Sequence, residues 1–177
     1  MFNSIKSPQD MIKPLICRPI DEEWKNNLKE SDQFWFSGFV RKIEDIFLPN
    51  EIVNIKKILI LRDKLLEFGG EEACMVFSEE NVDNILNKGE FWYGDKCLKI
   101  KGEDSRCHSN SAYLWETNKD KVVLCTGYAL SEDGMWRQHS WCIEIKSGII
   151  IETTVKRIGY FGFIFTNEEA EKILYNY

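Results

Sequence analysis

Three side chains in the second half of the chain are of the types that carry out nucleophilic chemistry together. Cys107 lies near the start of the stretch RCHSNSAYLWE, residues 106–116. Its thiol suits a nucleophile, a metal ligand or a small core residue, since free cysteine is among the most buried residue types. With Asp104 or Ser105 as N-cap, Cys107 falls in the first turn of a helix. Unpaired N–H groups and the helix dipole there favour a thiolate. Ser111, Leu114 and Trp115 continue that face, which places the sulfur on the packed side.

A thiolate nucleophile needs a base, and the chain contains two histidines. His108 follows Cys107 directly and points about 100° away around a helix, so it reads as a partly exposed helix-surface residue. His139 lies in WRQHSWCIEI. On a strand, Arg137, His139, Trp141, Ile143 and Ile145 share one face, and the apolar members turn His139 inward. It can be a base or a core histidine held by a hydrogen bond. Glu152, inside IIIETT, is the third residue. An unpaired buried carboxylate is costly, and an imidazole partner would remove the anomaly. The alternative is a solvent-facing Glu152 on an edge strand.

Parity separates the two. A four-residue loop from Ile145 to Gly148 puts Glu152 opposite Trp141 and diagonal to His139, within reach of a hydrogen bond. A three-residue loop turns Glu152 to the other face. The sequence permits both.

The elements that must position these residues divide the chain by pattern. Residues 1 to about 90 read as mainly helical. DEEWKNNLKE (21–30) opens with acids. DQFWFSGFVRKIEDIF (32–47) carries Phe36, Phe39, Val40, Ile43 and Phe47 at helical spacing and ends at Pro49. Asn50 is the expected cap of a helix with Ile55, Ile58, Leu59, Leu65 and Leu66 on its apolar positions, stopped by Gly69 and Gly70. Ser78 is the expected cap of EENVDNILNK, with Gly89 after it. From about residue 118 the pattern is strands: KVVLCTGYAL, the turn SEDG, MWRQHSWCIEI, the turn KSG, IIIETTV and GYFGFIF. Thr166 with Glu169 forms a capping box for a last short helix. The class expected is α+β in a single domain, residues 1–177. Residues 1–90 form its helical part, packed on an antiparallel sheet, and 91–177 supply a central helix plus that sheet.

A chain of 177 residues, 44% hydrophobic, can bury roughly 70% of its unfolded surface and needs no metal or disulfide for a core. Its net charge of −6 argues against general nucleic-acid binding. The opening residues hold no sustained apolar run, and ILILRDKLLEF is too charged to span a bilayer. A cytoplasmic setting with reduced cysteines is expected, with no membrane association. The six cysteines, at 17, 74, 97, 107, 125 and 142, include no CxxC pair.

The order of Cys107 at a helix start, Gly127-Tyr128, His139-Ser140-Trp141 and Glu152-Thr153 resembles the core of the transglutaminase-like branch of the papain-like cysteine-enzyme superfamily. The resemblance covers about residues 103–156. In this chain Glu152 stands where that branch usually has Asp, and Thr153 where it has Pro. The resemblance implies a papain-like α+β fold with the nucleophile at the start of a central helix. It implies catalytic residues Cys107, His139 and Glu152, no cofactor, no metal, and a peptide or protein substrate. Amide or peptide hydrolysis is the first expected reaction, with crosslinking or deamidation as alternatives. Trp92, Tyr93 and Gln138 are candidate second oxyanion donors beside the Cys107 N–H, and Trp136 and Trp141 could wall the cleft. Two other readings stand beside it. Cys107, His108, His139 and Cys142 are zinc-ligand types, though His139 and Cys142 leave opposite faces of a regular strand. A non-catalytic interaction module could use QFWF at 33–36. No sequence feature bears on the oligomeric state.

Overall fold

The structure is a computed structural model that describes residues 49–75 and 79–174. The helices expected over 21–30 and 32–47, the QFWF stretch, Cys17 and the Ser78 cap lie outside the described residues.

Helix α1, Pro49–Glu67, starts on the proline expected to end the preceding helix. Proline lacks an N–H and has a helical φ, so it suits the first position of a helix. Asn50 therefore lies inside the helix and is not its cap. Ile55, Ile58, Leu61 and Leu65 form its buried stripe. Helix α2, Val82–Lys88, follows Asn81 as N-cap. Helix α3 is Cys107–Thr117. Helix α4, Asn167–Leu174, begins with a reciprocal capping box: Thr166 N–H donates to Glu169 and Glu169 N–H donates to Thr166 Oγ1.

Among the described residues seven strands form one sheet: β1 Glu72–Cys74, β2 Glu90–Tyr93, β3 Cys97–Lys99, β4 Val122–Leu130, β5 Met135–Glu144, β6 Ile150–Glu152 and β7 Gly159–Ile164. The order is β2-β7-β4-β5-β6-β3, with β1 paired to β5 off this path. The sheet is mixed, not antiparallel as expected, because β1 runs parallel to β5 and β3 parallel to β6. Only a tight hairpin forces antiparallel pairing, and these two strands reach their partners from far along the chain. Strands β2 and β3 come before the expected start of strands near 118, and the three-residue β1 lies within the part read as mainly helical.

The sheet is strongly curled. Tyr160 on β7 donates to Glu152 on β6 at 2.9 Å, across β4 and β5. Strands that far apart in a flat sheet would be separated by roughly 14 Å. Trp92, Cys125, Trp141, Ile143, Ile150 and Tyr160 fill the concave face. The helices cover the other face, over Leu124, Tyr128, Trp136, Cys142, Phe161 and Phe163.

Strand β5 positions both α3 and β6. It pairs with β1 at Met135–Arg137 and with β6 at Cys142 and Ile143, which leaves 138–141 with no strand on that side among the described residues. Helix α3 packs there: Ser111 Oγ donates to the Ser140 carbonyl at 3.0 Å, and Cys142 Sγ donates to the Ser111 carbonyl. The β5–β6 loop has four residues, Ile145 to Gly148, closed by Glu144 N–H to the Ile149 carbonyl at 2.9 Å. Gly148 supplies the positive φ of 71° that the turn needs.

Candidate active site

Cys107 is the first residue of α3, and its N-cap is Arg106, which makes no side-chain cap bond. Neither Asp104 nor Ser105 holds that place, because Ser105 takes a left-handed backbone, φ 61°, one residue too early. The helix start is held by its approach loop instead. Ile100 and Gly102 donate their N–H groups to the Glu152 and Thr153 carbonyls, each at 2.9 Å. Asn110 grips Glu103, donating to its carbonyl at 2.7 Å and accepting from its N–H at 3.2 Å. The loop thus ties the end of β6, where Glu152 stands, to the first turn of α3. Cys107 and Ser111 are four apart on one helical face. With Ser111 bonded at Ser140, Cys107 falls at the level of the neighbouring His139, and each group shifts the other's titration.

The four-residue loop fixes the parity. Cys142 faces Ile151, so Glu152 falls opposite Trp141 and diagonal to His139. His139 Nε2 and Glu152 Oε2 are 2.9 Å apart, with His139 1% exposed and Glu152 fully buried. A buried carboxylate is tolerable only when its oxygens are satisfied. Here four donors converge on it: His139 Nε2, Tyr160 O–H at 2.9 Å, and Thr154 N–H and Oγ1–H at 2.8 and 2.9 Å. An ionised carboxylate only accepts, so Nε2 carries a proton and Nδ1 is the nitrogen left for the thiol. On the concave face His139 is paired with Gly127. A Cβ on Gly127 would lie 2.2 Å from the Phe161 carbonyl oxygen, so this crossing admits no side chain. The Trp141 ring lies nearly parallel to the imidazole, 14° between planes and 6.4 Å between centroids.

The electrostatics follow from these contacts. Burial alone would raise the Cys107 thiol, but hydrogen bonds and charge from His108 and His139 outweigh it and bring it from 9.0 to about 5. Burial, nearly unopposed, pushes Cys142 up to about 12, and it raises Cys97 and Cys125 as well. His139 is raised despite its burial, by its bonds to Cys107 and Glu152. Glu152 falls to about 2: burial opposes this, and His139, Thr154 and Tyr160 overcome it. Such a set can hold a thiolate beside an imidazolium and move a proton between them.

His108 differs from its sequence reading. It is half-buried against the sheet, with Nδ1 2.7 Å from Ser140 Oγ, and it helps to draw down the Cys107 thiol. At the first position of a helix no earlier turn separates a side chain from its neighbour, so the 100° offset does not keep the two apart. The adjacent Cys-His pair was the available signal.

The other candidates are placed as follows. Trp92 lies on the concave face against Trp141, Tyr93 packs edge-on to Phe91, and the Gln138 amide donates to Glu79 at 2.9 Å. Trp136 is buried under the helices and donates to the Gly69 carbonyl. Cys142 turns to α3 while His139 turns to Glu152, so the four zinc-ligand types do not converge. Among the described residues no group of three or more His, Cys, Asp or Glu is disposed to hold a metal, and no helix is long and apolar enough to cross a membrane. Cavities of about 460 and 480 Å³ flank the start of α3. Arg106, Ser109, Asn110 and Tyr113 line one, and His108, Thr126, Gln138 and Ser140 the other. No family model, curated protein or solved structure matches the chain.

Proposed function

We infer that the chain is a cysteine-dependent acyl-transfer enzyme that hydrolyses an amide or peptide bond, on a papain-like core of transglutaminase type. The observation that carries this reading is the buried His139–Glu152 pair, 2.9 Å apart, beside a helix whose first residue is Cys107, and the contrast among thiols supports it. Cys97, Cys125 and Cys142 are pushed up by burial, whereas Cys107, at a helix start and against a carboxylate-bonded imidazole, is drawn down to about 5.

The roles follow from the chemistry. The Cys107 thiol proton moves to His139 Nδ1, and the thiolate attacks the substrate carbonyl carbon. The tetrahedral oxyanion takes a hydrogen bond from the Cys107 N–H at the positive end of α3. The C–N bond breaks as His139 returns its proton to the leaving amine. Water then attacks the thioester, with His139 as base, releasing a carboxylic acid and the free thiol. Glu152 orients the imidazole through Nε2 and stabilises the imidazolium.

A peptide library read by mass spectrometry tests the reading, with Cys107→Ser alongside. Cleavage or deamidation by the wild-type chain that disappears in a folded Cys107→Ser supports it. Turnover that persists in Cys107→Ser overturns it.

A further inference from the structure

Two donors share one oxygen of the buried carboxylate. Glu152 Oε1 accepts the Thr154 N–H and Oγ1–H at 2.8 and 2.9 Å, while Oε2 accepts both His139 Nε2–H and the Tyr160 O–H, each at 2.9 Å. A carboxylate offers about four lone-pair sites, so all are taken. Glu152 and Tyr160 are both fully buried. The Tyr160 ring centroid lies 5.0 Å from that of Trp141 and 6.1 Å from that of the imidazole. Burial, with the Glu152 charge beside it, pushes the phenol well above the ordinary tyrosine value, so it stays a neutral donor.

The phenol is not needed to aim the carboxylate. Thr154 grips Oε1 twice and β6 holds the stem, so Glu152 keeps its direction without Tyr160. What the phenol changes is charge. A hydrogen bond to an ionised group takes up part of that group's charge and weakens its pull on other protons. On Oε2 the Tyr160 O–H competes with the imidazole for one atom. A carboxylate facing His139 alone in a dry site would hold the imidazolium so firmly that its proton would pass poorly to a leaving amine. Among the described residues the other groups facing this pair are these. Cys97 Sγ on β3 lies 4.0 Å from the Tyr160 oxygen, its thiol raised by burial, with Lys156 acting on it from the β6–β7 connection. Cys107 acts on His139 from α3, and His108 acts on Cys107. Trp92 on β2 and Ala129 on β4 flank Tyr160 in the sheet, and neither titrates.

We propose that Tyr160 is a positioning residue that works by withdrawing charge: its O–H holds part of the Glu152 charge away from His139 and so keeps the imidazolium ready to give its proton to the leaving amine. This rests on the reading of His139 as the base of the acyl-transfer site. No bond to substrate involves Tyr160, and its own proton stays on the phenol throughout.

Tyr160→Phe removes the hydroxyl and keeps the ring. The readout is the titration of the His139 imidazole by proton NMR, which needs no substrate. The chain has two histidines, and His139→Gln identifies the resonance. The His139 midpoint should rise by about half a unit to one unit in Tyr160→Phe. The alkaline limb of turnover should move up with it, while the alkylation inflection of Cys107 stays near 5. Amide hydrolysis should slow more than ester hydrolysis, because the amine needs the imidazolium proton to leave. A difluorinated phenol at position 160, a stronger donor of nearly the same shape, should move the midpoint down. A midpoint that falls or stays in place in Tyr160→Phe overturns the proposal and leaves the phenol as a prop for Glu152. If Tyr160→Phe does not fold, the fluorinated phenol decides alone, and a midpoint that fails to fall overturns the proposal. A raised midpoint in a chain that hydrolyses no amide or peptide supports the role of Tyr160 and counts against the proposed function. Hydrolysis that depends on Cys107, with an unmoved midpoint, does the reverse.

Discussion

Glu152→Gln isolates the charge of the carboxylate. The amide is nearly the same shape, but it brings a donor to a place where four donors already converge on Glu152. If its NH2 faces Thr154, two donors collide. If it faces His139, Nε2 must accept, and the imidazole is forced into the tautomer with its proton on Nδ1, which cannot take one from the thiol. Either way the imidazolium loses its anion. A hydrogen bond to a charged group contributes about 1.5–3 kcal/mol, and one pKa unit corresponds to about 1.36 kcal/mol. The alkylation inflection of Cys107 should therefore rise by about 1–2 units from its value of about 5. At pH 5.5 the labelling rate should fall roughly 3- to 25-fold, through the loss of thiolate, and above pH 8 the two proteins should converge. The assay is iodoacetamide labelling under native conditions with peptide mapping. A crowd of buried donors costs stability too, so a midpoint lowered by several degrees is expected and decides nothing. A lowered midpoint with an unmoved inflection would refute the reasoning, leaving Glu152 as a structural residue only.

Three further outcomes are expected. Ser111→Ala removes the donor to the buried Ser140 carbonyl. It should cost about 1–3 kcal/mol in thermal or denaturant unfolding and slow Cys107 labelling as the helix start loosens. Turnover should be bell-shaped in pH. It should rise through about 5, as Cys107 ionises, and fall above 6.5, as the raised His139 loses its proton. Because Glu152 is depressed to about 2 from 4.5, its contribution to stability is complete above 4.5 and is lost as pH falls toward 2. Acid titration of the midpoint should be steeper in that window for the wild-type chain than for Glu152→Gln.

Strands β4 and β5 were legible in the sequence because they are long enough, nine and ten residues, for alternation to declare a face. That put His139 inward beside Trp141 and Ile143. The capping box at Thr166 was legible because its chemistry is local. Strands β1, β2 and β3 were not, since three or four residues give no period and their partners are distant in sequence. The face of Glu152 hung on one residue of loop length, which the Gly148 turn decides but does not advertise. The start of α3 was misjudged because its approach loop is held by Asn110 and by the end of β6, not by an N-cap side chain. The place of His108 was not legible because its partner Ser140 lies 32 residues away in sequence.

The most direct measurement is the fate of an activated acyl donor. The wild-type chain is mixed briefly with a p-nitrophenyl ester at pH 6, quenched in acid, digested and mapped. A nucleophilic Cys107 should carry a hydroxylamine-labile thioester within the first turnover, absent in Cys107→Ser and slowed in His139→Ala. Acyl groups found only on lysines, or on Cys97 or Cys74 as readily as on Cys107, would contradict it.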